Sequence, residues 1–539
     1  MRPVSDAILG RVMLAFEGER VPARIVERLG TAPAAGVTLF RHLNVRTPGQ
    51  VRELTGELQR AASSRGVAVP LDAGGAGGGP LLIAADQECG QFLALGDGST
   101  AFAGNMALGA IDDVTLTERV GCAIGLEARA MGVNVVYAPV LDIASNPANP
   151  ALGIRAFGDD PELVVRHGVA MVRGLQSAGV AATVKHAPGA GEAATDPHHG
   201  GATVSAVRDE LERREFVPFR AAFAAGARMA MSGHFAVPAV SGRADLPATL
   251  ARNVMTDLLR RDLGFDGVTI SDALDMRALA QGPDQAVDVI AAVRAGVDLL
   301  LAAADPEALA RIERTLVRAA DRELFDPAEL AATERRVAAL RGWLREMLPH
   351  PDLGVVGGTA HHALADEVAA RSITAVADPR RLLPLTPGRT GRILAIQPQP
   401  TDLTPADTSS TVRPALAAAL RRYHADVEEL IVDIEPDAAS IAAARDRAAA
   451  ADVVVIGTVD AHRLTSQLGL VEAIAATGTP TIAVAMRGPW DAAAYPRSVS
   501  SLATYSILPG SLGALAAVLF GETQAPGRLP VRVEVPVVA

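Results

Sequence analysis

The feature that most constrains the fold is a repeated alternation of short apolar runs, rich in β-branched residues, with longer helical patterns. Eight such runs occur, at residues 12–16, 37–40, 81–85, 133–138, 181–184, 228–231, 268–271 and 297–301. Buried runs of this kind with helices between them are typical of parallel strands, and a (β/α)8 barrel requires eight. We therefore predict an α/β fold whose N-terminal part, residues 1–345, is a TIM-type barrel.

A change of pattern after the barrel predicts a second domain. Residues 349–354 combine turn-forming residues and break the helical periodicity, so residues 346–380 are assigned as a linker and connecting helix. Residues 381–539 then alternate strand-like runs with alanine-rich helices, as in a C-terminal α/β sandwich. The strand-like runs are 393–396, 430–432, 453–456 and 481–485. Ile456-Gly457-Thr458 does not begin a Gly-x-Gly-x-x-Gly loop, so a dinucleotide cofactor is not indicated.

Charge and cysteine content argue against several classes of partner. The net charge is −11, and the 50 Lys and Arg residues are scattered among 61 acidic ones, which disfavours a nucleic-acid surface. The sequence has no apolar run of membrane-spanning length and its start lacks a signal-peptide pattern, so we expect a cytoplasmic protein. Cys89 and Cys122 are too few for a disulfide framework and lack metal-ligand spacing, so no metal and no other cofactor is predicted.

Polar side chains follow the predicted strands where barrel enzymes build their sites. Asp86 follows the third run, Lys185 and His186 the fifth, and Asp272 the seventh, while His234 lies just beyond the sixth. Active sites of such barrels form at the C-terminal ends of the strands. A lysine at the end of a buried strand also needs a polar ligand or an ion pair. The spacing therefore predicts an active site at this face.

Three segments at this face resemble the family 3 glycoside hydrolases, specifically the β-N-acetylglucosaminidase branch that uses a histidine acid/base. The segments are Lys185-His186-Ala187-Pro188-Gly189, Asp196-Pro197-His198-His199 and Ser271-Asp272-Ala273-Leu274-Asp275-Met276. The resemblance covers nearly the whole chain, because the tail is similar to the accessory sandwich that follows many family 3 barrels. It implies a two-domain enzyme whose partner is a small carbohydrate, a terminal N-acetylglucosaminide.

The resemblance also implies the catalytic roles. A retaining glycosidase needs a nucleophile and an acid that protonates the departing oxygen. Spacing alone allows Asp272 to be a helix N-cap, whereas the similarity of residues 264–272 to the family's nucleophile segment favours catalysis. His198 is the predicted acid/base, because imidazole titrates near neutrality, and Asp196 is the partner that orients its ring. His199 is expected to be an exposed loop residue.

The resemblance also implies that Asp86, Arg155, Lys185 and His186 contact hydroxyl groups of the sugar. His234 also matches a family position near the substrate, although a hydrogen-bonded histidine at the barrel rim is the preferred interpretation.

The sequence departs from the family pattern at residues that usually contact the sugar. Ala190 occupies a usual histidine position, and Gln91 and Ala94 replace commonly basic residues. Arg41 or another loop residue is a candidate replacement for the missing arginine.

Several alternatives remain open. A phosphorylase is one, because a histidine base repels incoming phosphate less than a carboxylate does. A β-glucosidase of the same family and a non-catalytic sugar-binding relative are others. A barrel metallohydrolase built on the site's histidines and aspartates is disfavoured, since no His-x-His follows the first strand. A cytoplasmic location would suit recycling of cell-wall muropeptides. The oligomeric state and the role of the second domain are not specified by the sequence.

Overall fold

The computed structural model describes residues 4–63, 79–347, 349–386 and 390–533 of the 539-residue chain. The first sheet has eight parallel strands: β1 (Val12–Leu14), β2 (Gly36–Leu39), β3 (Leu82–Ala85), β4 (Val135–Val136), β5 (Ala181–Ala187), β6 (Met229–Ser232), β7 (Val268–Ser271) and β8 (Leu300–Leu301). Their order is β8-β1-β2-β3-β4-β5-β6-β7, and a parallel bridge between Ile270 and Leu299 joins the two edges. The predicted (β/α)8 barrel is therefore confirmed, with all eight predicted runs as its strands.

Helices surround the barrel and connect its strands. They are α1 (Val4–Leu9), α2 (Ala23–Thr31), α3 (Arg41–Asn44), α4 (Pro48–Ser63), α5 (Asn105–Ile111), α6 (Val114–Ala130), α7 (Pro161–Ser177), α8 (Arg208–Arg213), α9 (Phe216–Ala224), α10 (Pro238–Ser241), α11 (Gln285–Ala295), α12 (Pro306–Asp321) and α13 (Pro327–Glu346). A π-helix spans Asn253–Asp262, and 3-10 turns span Gly153–Arg155, Ala248–Leu250 and Gly282–Asp284. A two-stranded sheet pairs Ala202–Thr203 with Phe235–Ala236.

Three of these helices begin with an Asp-Pro pair. In α7, α12 and α13 the carboxylate of Asp160, Asp305 or Asp326 accepts a hydrogen bond from the backbone N–H two residues along. The proline that follows supplies the helical φ at a position where no N–H is needed. The local sequence therefore fixes where these helices start.

Alternate side chains of the strands pack into two different apolar clusters. Met13, Leu82 and Ile270 belong to a cluster that α13 completes with Val337 and Leu340. The neighbouring strand positions, such as Val12, Leu14 and Ile83, pack in a larger cluster with the surrounding helices. Successive strand residues point to opposite faces of the sheet. Both faces are thus buried, which explains why the strands occur in the sequence as continuous apolar runs.

A buried ion cluster lies at the N-terminal ends of the barrel strands. Asp298, just before β8, accepts hydrogen bonds from Arg260, Arg336 and Thr333, each with a shortest distance of 2.6 Å. Arg11, just before β1, donates to Thr333 at 2.7 Å. Burial alone would raise the pKa of Asp298, but Arg260 and Arg336 outweigh it and lower that pKa. This Asp298 cluster ties α13 and the π-helix to the barrel.

The second domain is an open α/β sheet. Its strands are β9 (Thr374–Ala377), β10 (Ile393–Pro398), β11 (Val427–Val432), β12 (Val453–Thr458), β13 (Thr481–Ala485) and β14 (Ser500–Ala503), in the order β9-β14-β13-β12-β10-β11. All neighbours are parallel except β9 and β14, which are antiparallel. The predicted sandwich is confirmed, since apolar clusters cover both faces of this sheet. Strands β9 and β14 were not predicted.

Helices cover this second sheet and connect it to the barrel. They are α14 (Thr359–Ser372), α15 (Leu416–Arg421), α16 (Ala438–Ala449), α17 (Ser466–Ala475), α18 (Asp491–Ala494) and α19 (Pro509–Leu519), with 3-10 turns at Leu353–Val355 and Ser409–Thr411. Helix α14 and strand β9 both lie within residues 346–380. Among the helices of the described residues, none has the length and apolar character needed to cross a membrane.

Candidate active site

A cleft of about 930 Å³ opens at the C-terminal ends of the barrel strands. Asp86 follows β3, Lys185 and His186 lie near the C-terminal end of β5, and Asp272 follows β7 directly. A parallel barrel brings such residues to one face although they are far apart in the sequence. Six of the eight predicted site residues line the cleft: Asp86, Arg155, Lys185, His186, His198 and Asp272.

Asp272 is a half-buried carboxylate that lies near three imidazoles. Its Oδ1 accepts a hydrogen bond from the backbone N–H of Ala273 at 2.8 Å. Burial alone would raise the pKa of Asp272, but His186, His234 and His198 outweigh it, and the pKa lies below the ordinary value. The carboxyl group is therefore ionised at neutral pH. Asp272 does not cap a helix, because the next helical segment begins at Gly282.

His198 forms a tight pair with Asp196. Its Nδ1 lies 2.6 Å from Asp196 Oδ1, and its backbone N–H donates to the same oxygen at 2.8 Å. Burial lowers the pKa of His198, but the Asp196 hydrogen bond and the Asp272 charge outweigh that effect and raise it. Asp196 is buried behind the ring. Because Nδ1 donates to Asp196, Nε2 is the ring nitrogen that is left for a ligand in the cleft.

Glu88 holds two of the predicted sugar-binding cations. Its carboxylate accepts from Arg155 Nε and Nη2 at 2.9 and 2.8 Å, and Lys185 Nζ lies 2.6 Å from Glu88 Oε1 and 2.6 Å from Asp86 Oδ1. Burial alone would raise the pKa of Glu88, but Arg155 and Lys185 lower it to about 2. We call Glu88, Asp86, Lys185 and Arg155 the Glu88 cluster. Glu88 was not predicted as a site residue.

The Glu88 cluster retains unused hydrogen-bonding capacity on residues that line the cleft. Lys185 carries three N–H donors and Arg155 five. The bonds to Asp86, Glu88, His186 and the carbonyl oxygen of Ala151 occupy two donors of Lys185 and four of Arg155. Within the described part of the chain, one donor on each cation and Asp86 Oδ2 have no partner. These groups are suited to bind hydroxyl groups.

Asp142 orients His186 and was also missed by sequence analysis. Asp142 Oδ2 lies 2.7 Å from His186 Nδ1, and its Oδ1 accepts from the backbone N–H of Ala190 at 2.7 Å. With Nδ1 donating to the carboxylate, His186 Nε2 accepts from Arg155 Nη2 at 3.4 Å. Asp142 lies several residues beyond β4, so the strand-end pattern that located Asp86 and Asp272 did not include it.

His234 is buried, and protein atoms contact both of its ring nitrogens. Nδ1 lies 2.9 Å from Thr249 Oγ1 and Nε2 lies 3.1 Å from the carbonyl oxygen of Ala273. Burial lowers the pKa of His234. It lines a small cavity of about 40 Å³ beside Asp272 instead of the main cleft. His199, by contrast, is exposed and lies at the outer part of the cleft.

In the part of the chain that the structure describes, no three of the site's histidines, cysteines and carboxylates are grouped as metal ligands. Two histidines of the site, His186 and His198, each pair with one carboxylate, Asp142 and Asp196 respectively.

Two family models match this chain in succession. The glycosyl hydrolase family 3 N terminal domain matches residues 18–340, and the glycosyl hydrolase family 3 C-terminal domain matches residues 377–537. The chain belongs to glycoside hydrolase family 3. The family predicted from the segments at the strand ends is thus confirmed, and both of its domains are present.

Named relatives of this family 3 chain include beta-hexosaminidase A of Pseudoalteromonas piscicida, 31% identical over 66% of this chain and 61% of that protein. Beta-N-acetylglucosaminidase/beta-glucosidase of Cellulomonas fimi is 34% identical over 58% of this chain and 57% of that protein. The chain therefore matches less than two thirds of the length of these two relatives. A solved family 3 beta-N-acetylglucosaminidase from Paenibacillus sp. str. FPU-7 superposes with a TM-score of 0.90 at 32% identity and covers 100% of both chains.

The departures from the family 3 pattern have identifiable surroundings. Arg41 donates to Asp97 at 2.7 Å and to the carbonyl oxygen of Leu93 at 3.1 Å, and it lines a neighbouring groove instead of the catalytic cleft. The carbonyl oxygen of Gln91 accepts from the backbone N–H and the hydroxyl of Thr408 at 2.8 and 2.9 Å. The Gln91 position thus serves as a contact with the second domain.

The C-terminal domain contributes directly to the cleft of this family 3 chain. Pro405 and Ala406 line the cleft opposite the barrel residues. Thr408, two residues further on, fixes their loop to Gln91. The second domain therefore shapes the cleft as well as bracing the barrel.

Proposed function

We propose that this protein is a retaining exo-β-N-acetylglucosaminidase that releases terminal N-acetylglucosamine through a covalent glycosyl-enzyme on Asp272. The observation that carries the proposal is that an ionised, half-buried carboxylate and an imidazole held by a second carboxylate line the same cleft. A retaining glycosidase needs one nucleophile and one group that gives and then takes a proton. The names of the family 3 relatives supply the choice of sugar.

In the first step, Asp272 attacks the anomeric carbon while His198 Nε2 gives its proton to the departing glycosidic oxygen. The carbon–oxygen bond to the aglycone breaks as the bond to Asp272 forms. The Asp196 carboxylate stabilises the imidazolium that donates the proton, since it accepts from Nδ1. The lowered pKa of Asp272 keeps its carboxylate ionised until it attacks the anomeric carbon.

In the second step, neutral His198 takes a proton from water, and the resulting oxygen nucleophile displaces Asp272 from the anomeric carbon. The enzyme returns to its starting protonation state and the sugar leaves with retained configuration. An imidazole suits both steps because its neutral form places no second negative charge beside Asp272.

The Glu88 cluster is proposed to hold the sugar. Its free donors on Lys185 and Arg155 and the free oxygen of Asp86 are fixed in place by ion pairs before a substrate arrives. Such preorganised groups bind hydroxyl groups with little loss of side-chain entropy. His234 is proposed to position Asp272 and not to contact the sugar, because protein atoms contact both of its nitrogens.

The proposal extends to a cytoplasmic role in the recycling of cell-wall muropeptides. Both cysteines are free thiols, a state that a reducing compartment maintains. The cleft is also larger than one sugar requires: it extends past Asp272 to Arg277 and Arg311, which leaves room for an aglycone.

A phosphorylase is the second candidate, and a specific observation favours it. The group that lines the cleft at the acid/base position is the imidazole of His198, which is neutral once it has protonated the aglycone and therefore repels incoming phosphate less than a carboxylate would. Phosphate in place of water would release the sugar 1-phosphate from Asp272. Turnover that depends on phosphate separates this candidate from the hydrolase.

The test is release of nitrophenol from 4-nitrophenyl N-acetyl-β-glucosaminide, with and without phosphate. Asp272→Asn and His198→Ala should each lose turnover. Asp275→Asn and His199→Ala are matched controls, because both residues are exposed at the outer cleft and neither has a proposed role. Turnover that survives Asp272→Asn, or no turnover by the wild type on any β-linked hexosaminide, would overturn the proposal.

A further inference from the structure

His462 of the second domain bridges two hydrogen-bond acceptors that come from different domains. Its Nδ1 lies 2.7 Å from Asp491 Oδ1, and its Nε2 lies 2.9 Å from the carbonyl oxygen of Pro147 in the barrel. A carbonyl oxygen cannot donate. Asp491 also acts as an acceptor, because its oxygens receive the backbone N–H of His462 at 3.0 Å and the hydroxyl of Thr458 at 2.6 Å.

This arrangement fixes the charge of the ring. A neutral imidazole has one N–H, whereas the two acceptors need two. Both hydrogen bonds exist together only when His462 is an imidazolium. His234 differs, because its partners are a hydroxyl, which can donate, and one carbonyl oxygen, so the neutral ring satisfies both.

The charges around His462 favour the cation. Asp491 and Asp460 face it from the second domain, and together they raise its pKa although burial lowers it. Arg463 and Arg487 lie in the same interface, where Arg487 is paired with Asp407 and Asp460. The barrel residues that line this interface are all neutral: Gln91, Pro147, Asn149, Pro150, Leu152, Gly153 and Ile154.

The barrel loop that His462 contacts is connected to the catalytic cleft. Asn149 Nδ2 donates to the carbonyl oxygens of Ala190 and Gly191 at 3.0 and 3.2 Å, and Asn146 Nδ2 donates to that of Glu192 at 3.0 Å. Residues 190–192 belong to the loop that leads to Asp196 and His198. On the other side, the carbonyl oxygen of Ala151 accepts from Arg155 at 2.8 Å.

We propose that His462, as an imidazolium, is a positioning residue that clamps the second domain to the barrel loop 146–151 and thereby fixes Arg155 and the acid/base loop. Its effect on turnover rests on the proposed function, whereas the clamp itself does not. Deprotonation of His462 removes one of the two hydrogen bonds, so the clamp is strong at low pH and weak at high pH.

The test replaces the ring with side chains that reproduce one nitrogen each. In His462→Asn the amide nitrogen takes the place of Nδ1 and no longer reaches Pro147, whereas in His462→Gln it takes the place of Nε2. His424→Asn is the matched control, because His424 donates to the carbonyl oxygen of Gly391 within the second domain.

Hydrogen exchange, expressed as protection factors so that intrinsic pH effects cancel, measures the clamp without turnover. We expect His462→Asn to lower protection of residues 146–155 and 190–198 about tenfold, with His462→Gln in between and His424→Asn unchanged. Wild type should lose the same protection as pH rises through the pKa of His462, and His462→Asn should show no such step. Equal protection in wild type and His462→Asn would overturn the clamp.

Turnover is the second readout. Displacement of catalytic groups by about 1 Å costs up to 10²-fold in rate, so we expect kcat/KM of His462→Asn to fall between about 10- and 100-fold. Protection that falls without a change in kcat/KM would overturn the positioning role. Absence of glycosidase turnover in the wild type, with the exchange results intact, would instead refute the proposed function and leave the clamp standing.

Discussion

The two ends of the barrel carry buried ion clusters of similar composition and opposite accessibility. In the Asp298 cluster, both carboxylate oxygens accept several hydrogen bonds, from Thr333 and Arg336 on one side and from Arg260 and Thr269 on the other. In the Glu88 cluster, Lys185 and Arg155 line the cleft, and each has one N–H donor without a partner in the described part of the chain. A buried charge cluster of this barrel is thus a candidate binding site only where some of its donors and acceptors lack protein partners and its residues line a cavity.

The difference also separates stability from chemistry. Removing one partner of a buried ion pair leaves an uncompensated charge and destabilises a protein strongly. Both clusters should therefore contribute to stability, but only residues at the cleft should contribute to turnover. The predictions that follow are arranged to challenge this separation.

The largest effect is expected from a pair of equivalent substitutions at opposite ends of the barrel. Asp272→Asn removes the nucleophile and should lower kcat by a factor on the order of 10⁴ or more. Asp298→Asn leaves Arg260 and Arg336 uncompensated and should lower the free energy of unfolding by about 3–5 kcal/mol, with kcat of the folded fraction unchanged. Steady-state kinetics and denaturant unfolding of both variants measure the contrast. A large loss of kcat in the folded Asp298→Asn variant would contradict the separation of stability from turnover.

His198→Ala should lower kcat/KM by about 10²–10⁴-fold and change the pH profile. In the wild type, Asp272 must be ionised and its pKa is lowered, so activity falls only as pH drops below that value. His198 must be protonated in the first step and its pKa is raised, so activity falls as pH rises past it. The variant should lack this alkaline limb. An unchanged alkaline limb would assign it to another group.

Glu88→Gln tests how the stability that the Glu88 cluster provides depends on pH. The pKa of folded Glu88 is about 2 against an ordinary 4.5, so its stabilising contribution is present above pH 4.5 and is lost as pH falls toward 2. The variant should be less stable than the wild type by about 3 kcal/mol at pH 7, from the size of this shift. The difference in free energy of unfolding between wild type and variant, measured in urea, should become smaller below pH 4.5. A gap independent of pH would show that packing, and not charge, is lost.

Arg41→Ala should have the smallest effect. Arg41 pairs with the exposed Asp97 outside the cleft, and exposed ion pairs contribute about 0–1 kcal/mol. We expect the free energy of unfolding to change by less than about 1 kcal/mol and kcat/KM to stay within about twofold. A tenfold fall in kcat/KM would instead identify Arg41 as the replacement for the missing family arginine.

Most of the fold could be predicted because its strands are buried on both faces. In the strand Leu82–Ala85, Leu82 and Ala84 pack in the barrel interior and Ile83 and Ala85 pack with the helix layer, so the strand occurs as an uninterrupted apolar run. Strand β9 was missed because it is an edge strand whose residues are partly exposed and which pairs antiparallel with β14. Strand β14, Ser500–Ala503, has no β-branched apolar residue to mark it.

Spacing alone predicted site residues only where a polar residue lies at, or directly after, the C-terminal end of a strand. Asp86 and Asp272 meet this condition, and the family resemblance added Arg155 and the Asp196–His198 pair. Glu88 was missed because its role arises from Arg155, 67 residues away in the sequence, and from Lys185, and spacing does not encode such a contact. The contribution of Pro405 and Ala406 likewise depends on how the two domains dock.

The loop that carries Pro405 and Ala406 has a consequence for biosynthesis. The match to the family 3 N-terminal domain ends at residue 340. The loop that forms one wall of the cleft, and that Thr408 attaches to Gln91, lies about 70 residues later in the chain. At about 5–20 residues per second, a ribosome needs roughly 4–14 s to add that segment. A barrel that folds during synthesis therefore has an incomplete cleft at first. The cleft is complete only after the second domain has been synthesised and has docked on the barrel.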